Sequence, residues 1–238
     1  MRFIYLVAAH NEHSILNTLI DKFDVLVNRK IDFEVYLLDN ASTDDSRILL
    51  DTLASTYKWL HPIYINEKGL GIAFRRGLAF LEKKGISPSD WIVFTAADLP
   101  FNFSDLDAFL NFSINNKSCE LFVGSKYHPD SVVERSFKRL AGSYIFYLFR
   151  LLILQLAVVD TQGTLFLKAN NLSIFKRIHS DDYFFTTEMI YYMKKSTLII
   201  EMPVVYEASV RPSKVNLLID GFKSFCQLIK LRLRSGGF

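Results

Sequence analysis

The sequence predicts an α/β fold in which a mostly parallel sheet is flanked by helices. Three apolar runs of strand length, residues 4–9, 33–38 and 91–97, alternate with segments whose apolar residues recur at helical spacing. Each run ends in polar residues, and in open α/β sheets the carboxyl ends of the strands line the crevice where ligands bind. Asp98, a lone carboxylate after the third run, is therefore a candidate site residue. A strand that simply ends in a solvated turn is the alternative for any single run, and the repetition argues against it.

The first half of the chain predicts strands and helices in regular alternation. A helix over residues 12–29 follows the first strand, and its apolar positions are Ile15, Leu19, Phe23 and Leu26. Capping residues at 43–46 begin a second helix that extends to residue 57. A third strand, a glycine turn and a third helix follow at residues 63–66, 68–71 and 72–84. This βαβ order predicts a nucleotide-binding type of half-domain.

The second half continues with less regular order. Asp105 and Asp107 favour the first turn of a helix, because acidic side chains interact well with a helix N-terminus. Beyond residue 124 a long basic and aromatic helix is expected. The predicted helices cover residues 104–112, 134–156, 185–194 and 215–234. The predicted strands cover residues 120–124 and 198–207, and a loop followed by a strand is predicted over residues 160–168.

Composition limits the class of protein. The chain has 238 residues, half of them hydrophobic, so one large α/β domain or two small ones with a sizeable core are expected. A net charge of +3 is too small to indicate nucleic acid, and we expect no nucleic-acid partner. Cys119 and Cys226 lack metal-ligand spacing, which predicts free thiols in a cytoplasmic protein. The apolar start leads directly into a charged loop and a helix, so it is interpreted as a strand rather than a signal peptide.

Two segments bear on whether the protein spans or contacts a membrane. The apolar stretch at residues 144–159 is interrupted by Arg150 and Gln155 and is shorter than the roughly 20 residues that a bilayer-spanning helix needs. The segment 215–234 has an apolar stripe opposite several lysines and arginines, a pattern typical of a helix that lies on a membrane surface. A helix packed on the domain with its basic residues in solvent is the alternative.

Eight short motifs occur in the order found in one enzyme family. They are the segments 8–12, 38–44, 69–73, 97–99, 135–139, 160–163 and 211–214, together with Glu188. From about residue 3 to residue 215, the chain resembles family 2 glycosyltransferases, and within them the polyprenyl-phosphate (dolichyl-phosphate) mannose and glucose synthases. The resemblance implies a GT-A fold with a Rossmann-like sheet over residues 1–214. The amphipathic basic helix at 215–238 is the second predicted unit.

The resemblance also implies a site for a nucleotide diphosphate sugar. Asp39 is expected to accept a hydrogen bond from the base edge, and the glycine turn to let the main chain approach the nucleotide closely. Arg75 or Arg76 could reach a phosphate, and at least one of the two is expected in solvent. The implied nucleotide-sugar-binding residues are Ala9, Asn11, Glu12, Asp39, Asn40, Ser42, Gly69, Gly71, Ala97 and Asp98.

The chain departs from the family at the metal motif. The usual pattern is Asp-x-Asp with a following Gln, and the corresponding residues here are Ala96, Asp98 and Pro100. Magnesium is often held by one or two carboxylates together with substrate phosphates, so Asp98 could serve with Mg²⁺ or Mn²⁺. A metal-independent enzyme, or a domain that binds nucleotide or a partner without turnover, stays open as an alternative.

The second half is expected to hold the acceptor, a polyprenyl phosphate or a lipid-linked glycan at the membrane surface. A phosphate acceptor is already anionic and needs cations rather than a strong base. A hydroxyl acceptor would instead need a base, for which Glu188 has the family position. The implied acceptor residues are Arg135, Arg139, Asp160, Gln162, Arg211, Ser213 and Lys214, and the implied catalytic residues are Asp98, Arg135, Arg139, Glu188 and Arg211. The resulting expectation is an inverting hexosyltransferase associated peripherally with the membrane.

Overall fold

The computed structural model describes residues 1–133, 137–206 and 217–236, without the side chains of residues 137–141 and 217–220. Within these residues the strands form one seven-stranded sheet of order β3-β2-β1-β4-β6-β5-β7. All neighbouring pairs are parallel except those of β6, which runs antiparallel to both β4 and β5. The strands are β1 Arg2–Ala9, β2 Asp32–Asn40, β3 Leu60–Ile65, β4 Trp91–Ala96, β5 Leu121–Gly124, β6 Thr164–Lys168 and β7 Ile199–Met202. The predicted mostly parallel sheet is therefore confirmed.

Helices cover both faces of this sheet. The α-helices are α1 Leu16–Asn28, α2 Ser46–Thr56, α3 Leu70–Lys84, α4 Ser104–Asn115, α5 Phe137–Leu154, α6 Phe184–Met193 and α7 Leu217–Arg234. Each corresponds to a helix that the sequence predicts, with ends that differ by a few residues. Two 3-10 segments, His13–Ile15 and Ala169–Arg177, were not predicted.

The alternation of side chains along β1 divides the apolar core into two layers. Ile4 and Leu6 pack into the layer that contains residues of α3 and α6. Phe3, Tyr5 and Val7 pack into the other layer, with residues of α1 and α4. Because successive strand side chains point to opposite faces, one short apolar strand serves both layers. The central strands are therefore buried on both faces, and their polar ends are left at the edges of the sheet.

Strand register brings the predicted site residues to one edge. Ala9 of β1 pairs with Asp39 of β2, and Ala8 pairs with Ala96 of β4. The amino end of antiparallel β6 lies at this same edge, because Phe94 pairs with Leu165. The loop at residues 160–163 consequently lies beside the turn that carries Asp98.

Candidate functional site at the carboxyl edge of the sheet

The loops after β1 and β2 are joined by hydrogen bonds. Asn11, which has a positive φ of 56°, accepts from the Thr43 amide through Oδ1 at 2.7 Å. In return, its own amide donates to the Ser42 hydroxyl at 2.9 Å. The Glu12 amide donates to the Ser46 hydroxyl at 3.2 Å. These contacts explain the Asn-Glu and Ser-Thr pairs of the two motifs, since they fix the shape of this corner of the site.

The Asp39 side chain is fully buried, and only one of its two carboxylate oxygens has a hydrogen-bond partner among the described residues. Its Oδ2 accepts a hydrogen bond from Nε of Arg47 at 2.6 Å. Its Oδ1 is buried without a hydrogen-bond partner among the described residues. Leaving a buried acceptor unsatisfied costs about 1–3 kcal/mol, so a ligand that donates an N–H to this oxygen recovers that cost. Asp39 is thus prepared to accept a hydrogen bond.

Arg47 is a site residue that sequence reasoning missed. Besides Asp39, it donates to the Ile65 carbonyl at 3.2 Å and lies over the Tyr64 ring, 5.5 Å from its centroid. The guanidinium therefore ties the end of β2 to the end of β3. Its position eight residues after Asp39, at the start of α2, is the signal that could have identified it.

Asn40 connects the end of β2 to the glycine turn. Its Oδ1 accepts from the Gly69 amide at 2.9 Å, and its carbonyl contacts Nδ1 of His10 at 2.8 Å. The side chain is buried, so the contact with Gly69 is shielded from water. The turn before α3 is thereby held against the same edge as Asp39.

The glycines of this turn are required by a close approach within the protein. A Cβ at Gly71 would lie 2.1 Å from the carbonyl oxygen of Ser180, and one at Gly69 would lie 2.4 Å from that of Asp181. The Gly71 amide also donates to the Asp181 carbonyl at 2.9 Å. The sequence predicts that this turn approaches a nucleotide closely, and that contact stays a prediction. The structure adds a close approach to residues 180 and 181.

The two arginines of α3 have different surroundings. Arg75 donates to the Ser180 carbonyl at 2.5 Å and forms an ion pair with Asp181. Arg76 is exposed and pairs with Glu67 at 2.9 Å. The expectation that at least one of them lies in solvent is therefore met by Arg76.

Asp98 lies in a strained turn immediately after β4. Its side chain is exposed, and its carbonyl accepts from Nζ of Lys22 at 3.3 Å. Leu99, Asn102 and Phe103 all have positive φ, at 43°, 43° and 67°. Such conformations cost about 1–3 kcal/mol each and persist only where the surroundings impose them. The turn is held in a defined shape that presents Asp98 to solvent at the edge.

A buried carboxylate lies beneath this turn. Asp105, in the first turn of α4, lines a small cavity with Tyr5, Thr95 and Phe103. Burial raises the pKa of Asp105 to about 6, although hydrogen bonds from the Thr164 side chain and from the Leu106 amide oppose the rise. The Tyr5 hydroxyl is buried here without a hydrogen-bond partner among the described residues. Asp105 thus holds its proton to a higher pH than an exposed carboxyl would.

The described residues contain no group of three or more histidine, cysteine, aspartate or glutamate side chains able to hold a metal ion. At the position of the first metal-motif aspartate, Ala96 is exposed and offers no ligand. Asp98 supplies a single hard oxygen donor group. This donor set fits a divalent ion that completes its coordination with phosphate oxygens of a bound nucleotide, and not an ion held by protein alone.

The loop at residues 160–163 is held by buried polar contacts. Asp160 accepts from the Lys126 and Gln162 amides, each at 2.9 Å. Glu201 accepts from the Val159 and Asp160 amides at 2.8 and 2.9 Å. The Asp160 carboxylate therefore organises the loop. The side chain that the loop exposes is Gln162, whose Nε2 donates to the Tyr183 carbonyl at 3.0 Å.

Arg150 of α5 supports the same loop from the interior. It donates to the Val159 carbonyl at 2.6 Å and to the Thr161 hydroxyl, and it is buried. Burial lowers the pKa of Arg150, while the charges of Asp160 and Glu201 act in the opposite direction. In the sequence, Arg150 is noted only because it interrupts an apolar stretch. An arginine within an otherwise apolar helix was the signal that could have indicated its buried role.

Glu188 is fully buried and fully engaged. Its Oε2 accepts from the His179 and Ser180 amides at 3.2 and 3.0 Å and from the Ser180 hydroxyl at 2.6 Å. Its Oε1 pairs with Arg234 of α7 at 2.6 Å. A carboxylate with these partners positions the segment before α6. It is not presented to an acceptor hydroxyl in this arrangement.

The remaining predicted acceptor residues lie outside the described part of the chain. Arg135, Arg211, Ser213 and Lys214 belong to the segments that are not described. Arg139 lies within α5, but its side chain is not described. Their roles stay predictions.

Helices α5 and α7 pack together and expose a broad apolar surface, here called the α5–α7 surface. Phe149 contacts Phe225 with ring centroids 5.0 Å apart. The exposed apolar residues are Tyr144, Ile145, Leu148, Phe149, Leu151 and Leu152 of α5 and Phe222, Ile229 and Leu233 of α7. In the part of the chain that the structure describes, neither these helices nor any other is long and apolar enough to cross a membrane.

The open sheet and the polar loops at its carboxyl edge define an α/β protein whose candidate site lies where such sheets bind ligands. Comparison with known proteins makes this class more specific. The model of the glycosyl transferase family 2 matches residues 5–173. The chain belongs to glycosyl transferase family 2, as its motifs implied.

Two curated relatives show which members of this family the chain resembles. A dolichyl-phosphate beta-glucosyltransferase of Saccharomyces cerevisiae is 26% identical over 222 residues, which cover 84% of this chain and 64% of the relative. One of Dictyostelium discoideum is 24% identical over 244 residues, which cover 96% of this chain and 73% of the relative. The resemblance to polyprenyl-phosphate sugar synthases is therefore confirmed. The chain spans about two thirds of the length of these relatives.

Solved structures share the fold over almost the whole chain. Glucosyl-3-phosphoglycerate synthase from Mycobacterium tuberculosis, in a complex with Mn²⁺ and UDP, gives a TM-score of 0.65 at 17% identity over 98% of this chain and 79% of that chain. Mannosyl-3-phosphoglycerate synthase from Rubrobacter xylanophilus gives 0.67 at 14% identity over 99% and 74%. The predicted GT-A fold is confirmed.

Proposed function

We propose that the protein is an inverting glycosyltransferase that moves a hexose from a nucleotide diphosphate sugar to a polyprenyl phosphate. Binding of the donor nucleotide is supported by Oδ1 of Asp39, which is buried at the carboxyl end of β2 without a partner among the described residues. A nucleobase N–H satisfies such an oxygen. The acceptor half is supported by the name of the two curated relatives, both dolichyl-phosphate beta-glucosyltransferases.

The donor nucleotide is proposed to bind across the ends of β1, β2 and β4. The mutual hydrogen bonds of Asn11, Ser42 and Thr43 support this, because they make the corner beside Asp39 rigid before a ligand arrives. A preformed site loses less conformational freedom on binding. The diphosphate would then extend towards Asp98, the exposed carboxylate at the same edge.

The proposed transfer needs charge stabilisation more than proton removal. An acceptor phosphate oxygen attacks the anomeric carbon, the bond from that carbon to the donor β-phosphate oxygen breaks, and the nucleoside diphosphate leaves. Attack from the opposite side inverts the anomeric configuration. Because the attacking oxygen is already anionic, cations that hold it in line are the main requirement. Arg135, Arg139, Arg211 and Lys214 are the proposed cations.

The surroundings of Glu188 favour a phosphate acceptor over a hydroxyl acceptor. A general base must come within hydrogen-bond reach of the proton that it removes. Glu188 is buried, and both its oxygens are already engaged by Ser180 and Arg234. Glu188 is therefore not proposed as the base. For contact with the transferred sugar we propose Gln162, whose side chain is exposed beside the Asp98 turn.

A divalent ion, Mg²⁺ or Mn²⁺, is proposed to join the donor diphosphate to Asp98. The Mn²⁺ and UDP complex of the M. tuberculosis neighbour supports metal use within this fold. When bound, the ion would neutralise charge on the leaving diphosphate. Ala96 leaves Asp98 as the single carboxylate donor in the motif, so the ion is expected to bind weakly without nucleotide.

The α5–α7 surface is proposed to contact the membrane that holds the lipid acceptor. Its apolar residues are exposed on two adjacent helices, and Arg232 lies in the last turn of α7. Each lysine or arginine near an anionic bilayer contributes about 1 kcal/mol, and burial of the apolar side chains adds to this. Such a contact is peripheral and reversible.

A transfer assay tests this function. Purified protein is incubated with UDP- and GDP-hexoses, a polyprenyl phosphate and Mg²⁺ or Mn²⁺, and the lipid products are analysed by mass spectrometry. We expect a polyprenyl-phosphate hexose from one donor class. Nucleotide binding without any product would favour the binding domain that Ala96 suggests, and transfer only to a glycan hydroxyl would also contradict the proposal.

A further inference from the structure

The segment of residues 179–183, between the second 3-10 helix and α6, contacts the glycine turn on one side. The Asp181 carbonyl accepts from the Gly71 amide at 2.9 Å. Arg75, one turn later in α3, donates to the Ser180 carbonyl at 2.5 Å. The packing is tight enough that a Cβ on Gly71 would collide with the Ser180 carbonyl. The turn and the segment therefore cannot move independently.

The same segment contacts α7 on its other side. Asp182 forms an ion pair with Lys223 at 2.6 Å and accepts from Nε2 of Gln227 at 3.1 Å through each oxygen. Burial opposes ionisation of Asp182, but the hydrogen bonds from Lys223 and Gln227 hold its pKa below the usual value. Arg234 reaches the segment indirectly through Glu188, which binds Ser180. Three side chains of α7 thus act on this segment, two directly through Asp182 and one through Glu188.

We propose that the 179–183 segment transmits the position of α7 to the glycine turn, so that Lys223 and Gln227 are positioning residues for the donor nucleotide. The inference rests on the proposed nucleotide site at that turn. Since linkage is reciprocal, docked α7 favours nucleotide binding, and bound nucleotide favours docked α7 by the same factor. Helix α7, part of the α5–α7 surface, is thereby connected to the donor site.

A double variant with a matched control tests the coupling. Lys223→Ala with Gln227→Ala removes both contacts with Asp182 but leaves the Arg234 pair in place. Lys230→Ala removes the same charge from an exposed position of α7, where no hydrogen bond or ion pair joins Lys230 to the described residues of the segment. Melting temperatures confirm that both variants are folded.

Two readouts are measured on each protein. Hydrogen exchange of the glycine-turn amides, including Gly71, reports coupling without any ligand. Calorimetric titration with UDP and GDP reports nucleotide affinity. We expect about two- to fivefold faster exchange and two- to fivefold weaker binding in the double variant, the range for contacts that are partly exposed. Lys230→Ala should behave as wild type.

The outcomes separate the inference from the proposed function. Wild-type exchange in the double variant overturns the coupling, whether or not a nucleotide binds. Faster exchange with unchanged affinity for a nucleotide that wild-type protein binds also overturns it. Failure of wild-type protein to bind UDP or GDP counts against the proposed function, and the exchange result still decides the coupling.

Discussion

Arg47 donates from Nε to Oδ2 of Asp39 at 2.6 Å and leaves Oδ1 of the same buried carboxylate without a partner among the described residues. The pair holds a charged acceptor in place at the end of β2. Arg47 compensates the charge, and the second oxygen keeps its capacity to accept a hydrogen bond. The buried oxygen without a partner is the basis of the proposed donor site.

Restoring a second carboxylate should strengthen metal-dependent binding. Ala96 is exposed at the end of β4, so Ala96→Asp introduces a carboxylate without repacking the core. A further charge-assisted contact is worth about 1.5–3 kcal/mol, or about tenfold or more in affinity. Titration of the nucleoside diphosphate with Mn²⁺ should show tighter binding, and the gain should vanish with a chelator. A gain that survives chelation would contradict the assignment of Asp98 as a metal ligand.

The buried Asp105 should make stability fall as pH rises. Its pKa is about 6 in the folded protein against 3.8 for an ordinary carboxyl, so the folded state keeps the proton longer than the unfolded state. Its contribution is therefore most favourable below about pH 4, decreases between pH 4 and 6, and is constant above. The full change corresponds to about 3 kcal/mol. Asp105→Asn should remove this dependence, as measured by denaturant unfolding between pH 4.5 and 7.5.

The exposed Asp107 provides the matched control for Asp105. It lies in the same first turn of α4 and pairs with Arg29 at the surface. Asp107→Asn should change stability little, because exposed ion pairs contribute about 0–1 kcal/mol. If the stability difference between wild type and Asp105→Asn is the same at every pH, the buried proton on Asp105 is ruled out.

The acceptor chemistry predicts which variants lose transfer. With a phosphate acceptor, Arg135→Ala, Arg139→Ala and Arg211→Ala should each cost about 1.5–3 kcal/mol, or roughly ten- to a hundredfold in rate. Glu188→Gln should lose less, apart from a lower melting temperature caused by the lost Arg234 pair. Loss of a general base typically removes about a hundred- to ten-thousandfold. A transfer rate that collapses in Glu188→Gln but is indifferent to the arginines would therefore exclude the phosphate acceptor.

Membrane contact should depend on α7 and on salt. Wild-type protein should float with liposomes that contain anionic lipid, and the bound fraction should fall as salt screens the lysines and arginines. Phe222→Ala removes an exposed apolar side chain from the α5–α7 surface and should weaken flotation. Ile48→Ala, which truncates an exposed apolar residue of α2, is the control. Equal flotation of both variants would exclude α7 from the contact.

The sequence predicts the elements of the fold better than their arrangement. Apolar periodicity locates the strands and helices, because burial of one or both faces sets their pattern. The loop and strand predicted at 160–168 divide at Thr164, since Glu201 and Lys126 hold the preceding residues in a loop. The antiparallel direction of β6 was not predicted, because an apolar strand has the same pattern in either direction.

The candidate site is predictable where local motifs determine it. Asp39, Asn11 and Ser42 lie together because they follow adjacent strands. The partner of the glycine turn was not predictable, since residues 180 and 181 are more than a hundred positions away and meet it only through tertiary packing. Arg47 was missed because its spacing from Asp39 does not by itself show that the start of α2 brings the guanidinium against the buried carboxylate.

Calorimetric titration of Asp39→Asn with UDP and GDP, in the presence of Mn²⁺, tests the central claim most directly. Asp90→Asn is the matched control, because Asp90 is also buried but lies at the opposite end of β4. In Asp39→Asn, Arg47 takes the single amide oxygen, and the NH2 group then faces the base N–H. The lost acceptor should weaken binding by about 1.5–3 kcal/mol, or roughly ten- to a hundredfold, in Asp39→Asn alone. Wild-type affinity in a well-folded Asp39→Asn protein would contradict the account.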